Sequence, residues 1–192
     1  MIAMLFLDQI FERFCDYIEG RLRWNDSDDQ WTESVFGFFS KENAAQVVPY
    51  VEIIEHMLVD YIWRYDPQKY PMNDIELAVE SENQENRVDE LIGHEIQHLA
   101  DIKAHYKIAI LYPTLGDEAE LLDKISKTIK NVSERYRIEE EYLAILGYST
   151  TTAGKRAILW KGIFFDKNGN LKVRKEKRTM QRDEGTESIN TP

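Results

Sequence analysis

The chain has few of the features that mark secreted and membrane proteins. Its 192 residues include one cysteine, Cys15, which excludes an internal disulfide and suits a reducing compartment. No apolar run approaches the roughly 20 residues that span a bilayer. The first residues, MIAMLFLDQIFERF, are apolar but carry no early basic residue, which argues against a signal peptide. We therefore expect a cytoplasmic protein that does not enter the membrane.

Basic residues are scarce over most of the chain and concentrated towards its C-terminus. The formal net charge is -11, yet residues 155–182 hold ten lysines or arginines against two acids. A basic segment on an acidic body is a candidate contact for an anionic polymer, and DNA is the partner expected here. Taken alone, these charges are explained more simply by a solubilising, partly disordered tail. Residues 179–192 are predicted to be disordered.

Residues 1–178 are predicted to form one domain, because their number and the apolar fraction of 43 % suit a single core. Helical spacing of apolar residues predicts helices over 2–23, 31–39, from near Lys41, over 85–104 and over 117–137. Branched, aromatic or alternating residues predict strands over 49–65, 75–82, 107–113, 141–149 and 157–166, with a turn at 166–170. This order indicates an α/β fold whose mixed central sheet is flanked by helices.

A zinc motif lies in the predicted helix over 85–104. The segment GHEIQHLAD contains His-Glu-x-x-His, so on a helix His94 and His98 stand one turn apart and could hold Zn²⁺, with Glu95 as general base. A catalytic zinc needs a third protein ligand. Glu118, Glu120 or Glu134 could supply it. The sequence does not favour one of these acids over the others. An ordinary helix with polar histidines beside its apolar stripe is the alternative.

Carboxylates form a second constellation on two predicted strands. Asp60 lies in one strand, and Glu80 and Glu82 lie two residues apart on the next, so both glutamates project from the same face. If the strands are neighbours, Asp60 meets Glu80 at one edge of the sheet. Such a cluster suits a hard divalent cation, Mg²⁺ or Mn²⁺. The alternative is a solvated sheet face that carries Glu76, Glu80 and Glu82 into water.

The segments LVDYIWRYD, IELAVESEN and HLADIKAHYKIAILYP, in that order, resemble the core of the restriction-endonuclease-like, PD-(D/E)XK, superfamily. In that family an aspartate ends one strand, a Glu-x-Lys lies on the next, and a helix then leads to another buried strand. The match covers about residues 50–115. The resemblance implies a restriction-endonuclease-like fold and Mg²⁺-dependent hydrolysis of DNA phosphodiester bonds.

By that resemblance Asp60 and Glu80 are metal ligands, the Ser81 carbonyl assists them, and Glu82 completes the catalytic set. Glu82 stands where the family has lysine, and glutamate cannot offer positive charge to the attacking water or the phosphate. It would act instead as a base or hold a second metal ion. The residues that could assist are Glu55, Glu52 or Glu33 as an upstream acid, Lys103 or Lys107 as the missing charge, and His98.

Three functions follow from these patterns. A magnesium-dependent endonuclease explains the order of strands and helices across residues 57–112 and is the preferred hypothesis. A zinc metallopeptidase using His94, Glu95 and His98 is the second, and it explains only five residues. A non-catalytic nuclease-fold protein that binds a partner is the third. A homodimer is compatible with the first hypothesis, since small nucleases of this class often pair, but the sequence marks no dimer face.

Overall fold

Seven strands form a single sheet in which they follow one another in chain order. The computed structural model describes residues 2–46, 50–56, 59–66, 68, 74–114, 116–136 and 140–182. The helices are α1 (Ile2–Ile18), α2 (Asp28–Gln46), α3 (Val88–Leu91), α4 (Gln97–Asp101) and α5 (Glu118–Tyr136). The strands are β1 (Tyr50–His56), β2 (Val59–Tyr65), β3 (Ile75–Asn86), β4 (Ala104–Pro113), β5 (Glu141–Thr152), β6 (Lys155–Phe165) and β7 (Leu171–Met180).

The sheet is mixed. Strands β1 to β3 are antiparallel, β4 is parallel to both β3 and β5, and β6 and β7 are again antiparallel to their neighbours. Each parallel pair needs a crossover. The helical segment from α3 to α4 connects β3 to β4, and α5 connects β4 to β5. The predicted α/β class is therefore confirmed. None of the described helices is both long enough and apolar enough to cross a membrane.

Each face of the sheet buries its own hydrophobic cluster. Helices α1 and α2 cover one face, here called the α1–α2 face, where Phe14, Trp31 and Trp160 are buried. Helices α3 to α5 cover the other, the α3–α5 face. The alternation predicted for β3 is seen in its middle, because Val79 packs in the first cluster and Ala78 in the second. Glu80, the next residue, therefore points to the α3–α5 face.

Two predicted elements are divided differently in the structure. The single strand expected over 49–65 is wrong, because β1 and β2 form a hairpin in which His56 pairs with Val59. Apolar and branched residues continue through this bend with no glycine or proline to mark it. The two helices expected over 31–39 and from Lys41 are one helix, α2, which begins at Asp28. The buried apolar residues of α2 end at Phe39 and pack on the sheet, whereas the buried positions past the expected break are the polar Glu42 and Asn43.

The C-terminal segment is ordered further than predicted. Strand β7 runs to Met180, and Thr179 is buried, with its Oγ1 accepting a hydrogen bond from Trp160 Nε1 at 2.8 Å. No strand pattern is visible here because β7 carries consecutive charged residues from Arg174 to Arg178 in place of alternating apolar ones, as suits the edge of a sheet. The rest of the predicted tail, 183–192, lies outside the described residues.

Gly147 on β5 leaves the space that two buried rings occupy. A Cβ atom there would lie 2.7 Å from Cε1 of Tyr112 and 2.9 Å from Cζ3 of Trp160. Because both rings are buried, we expect Gly147→Ala to destabilise the fold by about 1–3 kcal/mol. Gly93→Ala is the control, since nothing lies within 4 Å of the added atom. Urea unfolding measures both, and equal midpoints for the two variants would contradict the close packing.

Candidate functional site

Asp60 and Glu80 lie side by side on the α3–α5 face. Asp60 is on β2 and Glu80 on the antiparallel β3, in the register that pairs Tyr61 with Val79. The N–H of Asp60 donates to Oε2 of Glu80 at 2.9 Å, and the N–H of Ser81 donates to Oδ2 of Asp60 at 2.9 Å. Each carboxylate is thus tied to the backbone of the neighbouring strand. The structure brings together the two residues proposed as metal ligands.

Burial and a neighbouring charge act together on Glu80. Its side chain is almost fully buried, with 2 % of the residue exposed. Burial first, and then the negative charge of Asp60, raises the pKa of Glu80 to about 9, against the lowering effect of the hydrogen bond from the Asp60 backbone. At neutral pH the metal-free Glu80 therefore keeps a proton. A divalent cation placed beside the pair would favour its loss.

A distorted helical turn carries a further acid to this pair. Residues Ile92–Ile96 form a π-helical turn between α3 and α4, a feature that shifts the side chains around it and is frequent at functional sites. Glu95 lies in this turn. Burial, followed by the charges of Glu82 and Asp60, raises its pKa to about 7. The sequence identified Glu95 only as part of a zinc motif, whereas the structure sets it within electrostatic reach of the β2 and β3 acids.

His98 contacts the carboxylate pair, and His94 lies further out. The Nδ1 atom of His98 is 3.5 Å from Oε1 of Glu80, and its side chain is 32 % exposed. The His94 ring centre is 6.2 Å from that of His98, with the rings nearly perpendicular, and His94 is exposed. His98 therefore faces Glu80, and the auxiliary role predicted for it stays a prediction.

The acids named as a possible third zinc ligand have basic partners or are exposed. Glu118 accepts a hydrogen bond from Lys161 at 2.5 Å, and Glu120 pairs with Lys124 at 2.8 Å. Glu134 is exposed on α5. In the part of the chain that the structure describes, no group of three or more histidine, cysteine, aspartate or glutamate side chains is arranged to hold a metal ion. A zinc site of the catalytic type needs such a group.

The two lysines considered as a source of positive charge differ in their surroundings. Lys107 is fully buried, and its ammonium group donates to Glu140, Tyr142 and the carbonyl of Ala100. All three of its protons have acceptors, so it is not available to a substrate water. Lys103 is exposed in the connection between α4 and β4. Lys107 therefore does not replace the lysine that the Glu-x-Glu motif lacks, and the role of Lys103 stays a prediction.

The three acids considered as upstream metal ligands, Glu52, Glu33 and Glu55, differ in what the structure shows of them. Glu52 on β1 accepts hydrogen bonds from Ser40 and Asn43 of α2, at 2.7 Å and 3.0 Å, which places it on the α1–α2 face. It is therefore across the sheet from Glu80 and does not join the site. Glu33 is exposed on α2. The side chain of Glu55 lies outside the described residues, so its predicted role stays a prediction.

Much of the positive charge in residues 155–182 is neutralised within the chain. Strand β7 carries several of these residues and packs along the acidic side of α1. The DNA contact predicted for this segment therefore stays a prediction, and it would have to compete with internal partners. The ion pairs are Lys175 with Asp8 and Glu12, Lys177 with Glu12 and Asp16, Lys161 and Arg174 with Glu118, Lys172 with Asp166, and Arg182 with Asp26.

Comparisons with known proteins add no relative, since no family model and no curated protein matches this chain. The resemblance to the PD-(D/E)XK superfamily thus depends on the motif and its order along the chain. One detail departs from the family pattern: Asp60 is near the beginning of β2, not at its end. Because β2 is antiparallel to β3, that beginning still lies beside Glu80.

Proposed function

We propose that this protein hydrolyses DNA phosphodiester bonds with Mg²⁺ or Mn²⁺ held by Asp60 and Glu80. The observation that carries the proposal is the buried Glu80 carboxyl beside Asp60, with each carboxylate bonded to the other residue's strand at 2.9 Å. Burying a carboxyl against a like charge is costly. An apolar residue would fill the same space without that cost, so a role for the charge is indicated.

The chemistry of the ligands suits magnesium better than zinc. Mg²⁺ is commonly bound by one or two carboxylates and retains several waters, so Asp60 and Glu80, with the Ser81 carbonyl that the resemblance adds, form a sufficient set. Only two protein carboxylates are needed for such a site. The bound ion would polarise the phosphate and activate a water molecule.

The surrounding residues have distinct tasks in this proposal. Asp60 and Glu80 bind the ion, and the hydrogen bonds across β2 and β3 fix their carboxylates in place. His98 orients Glu80 from α4. Glu82 and Glu95 are the further acids in electrostatic contact with one another, and they are the candidates to take a proton from the attacking water. Lys107 is held by its own buried partners, so in this proposal the ion carries the positive charge.

Plasmid cleavage by the metal-stripped protein tests the proposal. We expect cutting when Mg²⁺ or Mn²⁺ is added, and none with Zn²⁺ alone. Glu80→Ala should abolish cutting because it removes a ligand. His98→Ala should lower the rate about 10-fold, as is usual for a group that orients a ligand. Asp123→Ala is the control, because this exposed acid on α5 pairs locally with Lys127. The Asp123→Ala variant should cut DNA at the wild-type rate.

Three results would contradict the proposal. Full cleavage by Glu80→Ala would place the reaction elsewhere. Tightly bound zinc that is lost in His98→Ala, together with hydrolysis of a peptide substrate, would establish the metallopeptidase instead. A folded protein that cuts neither polymer, and whose stability no divalent ion changes, would be the non-catalytic binding protein.

A further inference from the structure

A buried polar network lies beneath α4. Lys107 on β4 has no exposed surface. Its Nζ donates to Oε2 of Glu140 at 2.6 Å, to the hydroxyl of Tyr142 at 3.2 Å and to the carbonyl of Ala100 at 3.2 Å. The Tyr142 hydroxyl donates in turn to the same Glu140 oxygen at 2.6 Å. The ammonium group is therefore fully coordinated by protein atoms.

Stability alone does not explain this network. Burial lowers the pKa of Lys107, which reflects the cost of keeping an ammonium group in an apolar layer. Well-packed apolar residues in place of a buried ion pair are often as stable or more stable. Methionine would fill the space of Lys107, and leucine that of Glu140. Such a replacement would leave the Ala100 carbonyl without its donor, Nζ of Lys107.

The Ala100 carbonyl connects the network to the candidate site. It belongs to the last turn of α4, where helix carbonyls have no partner within the helix. The same five-residue helix carries His98, whose Nδ1 is 3.5 Å from Glu80. On the sheet below, Lys107 pairs with Ala78, two residues before Glu80 on β3. Lys107 thus joins the end of α4 to the sheet face from which Glu80 projects.

We infer that Lys107 is a positioning residue: by binding the Ala100 carbonyl it holds α4 so that His98 stays against Glu80. Helix α4 is the last part of the helical segment that begins at Val88, and the Ala100 carbonyl lies at its C-terminal end, so an anchor there restrains the turn that carries His98. The consequence for the cation rests on the proposed function. The position of His98 itself does not, and it is measurable without metal.

The test replaces the network in two ways. Lys107→Met with Glu140→Leu removes both charges and the bond to Ala100. Glu140→Gln is the matched control, since it removes the carboxylate but keeps the Lys107 amine, which donates to Ala100 in either protonation state. NMR of the histidine rings in metal-free protein should show the His98 signals shifted or broadened in the first variant and close to wild type in the control.

Manganese affinity supplies the second measurement. We expect the Lys107→Met, Glu140→Leu variant to bind Mn²⁺ about 10-fold more weakly, as for loss of an orienting group. Adding His98→Ala to that variant should cause little further loss, because both changes remove the same contact. A purely structural role would lower stability in the variant and leave Mn²⁺ affinity at the wild-type value.

Each outcome decides the inference. Unchanged His98 signals in the charge-free variant, or losses of Mn²⁺ affinity that multiply with those of His98→Ala, would overturn it. If wild-type protein binds no Mn²⁺, the proposed function fails, and the His98 signals still decide whether Lys107 positions α4. Should the first variant not fold, Lys107→Gln with Glu140→Gln replaces it, because the shorter amide does not reach Ala100.

Discussion

Glu80→Gln is expected to stabilise the metal-free protein at alkaline pH while it abolishes DNA cleavage. The pKa of Glu80 is raised from 4.5 to about 9, chiefly by burial and next by Asp60. Between these values the unfolded chain has released a proton that the folded chain retains. Stability contributed by this group is therefore present below about pH 4.5 and is lost as pH rises towards 9, at roughly 1 kcal/mol per pH unit. Glutamine does not titrate.

Urea unfolding at pH 5, 7 and 8.5 measures the difference. The stability advantage of Glu80→Gln over wild type should grow steadily with pH, because only the wild type loses stability as Glu80 titrates. The glutamine amide oxygen still accepts the hydrogen bond from the Asp60 backbone. Mg²⁺ or Mn²⁺ should restore much of the wild-type stability at pH 8.5 and have little effect on the variant. Glu120→Gln, an exposed position on α5, is the control and should follow the wild-type pH profile. A variant that is less stable than wild type at every pH would contradict the buried like-charge contact.

The contact of Asp60 with Glu80 could be expected from the sequence because it follows from local rules. Strand alternation assigns the face of Glu80, and a short connection favours pairing of consecutive strands. The sequence did not reveal that β1 and β2 are two paired strands, yet the pairing of β2 with β3 does not depend on that error. A local sequence pattern is thus enough to predict a contact between two residues when they lie on consecutive strands.

The remaining parts of the site depend on packing that no local pattern records. Glu95 reaches the acids because a π-helical turn interrupts the helix, and residues 85–104 give no sign of that turn. Lys107 has the spacing of an apolar strand residue, and its partner Glu140 is 33 positions away. The role of Lys107 cannot be predicted without the register of β4 against β5. Nor does a local pattern predict that Glu52 points to the other face of the sheet.

Strand β7 was not predicted because its residues are mostly charged. Its removal is the change that we expect to affect folding most. Ending the chain after Asn170 should prevent cooperative folding. It would expose the edge of β6 from Ala157 to Phe165 and leave the buried Trp160 indole N–H without its Thr179 acceptor. Each buried polar group left unpaired costs about 1–3 kcal/mol, and domains of this size have only about 5–15 kcal/mol in total. Circular dichroism during urea titration measures the loss, and a cooperative transition in the truncated chain would contradict it.

Neutralising the lysines of β7 separates folding from DNA contact. Lys175→Gln with Lys177→Gln removes partly exposed ion pairs to α1, so the stability should fall by about 1 kcal/mol or less. Strand β7 is also four strands away from β3 in the sheet, and its lysines already have acidic partners. We therefore expect the salt dependence of DNA binding to be the same in this variant as in wild type. A slope reduced by about two charges would show instead that both lysines leave α1 to bind phosphates, because each phosphate contact contributes nearly one unit to that slope.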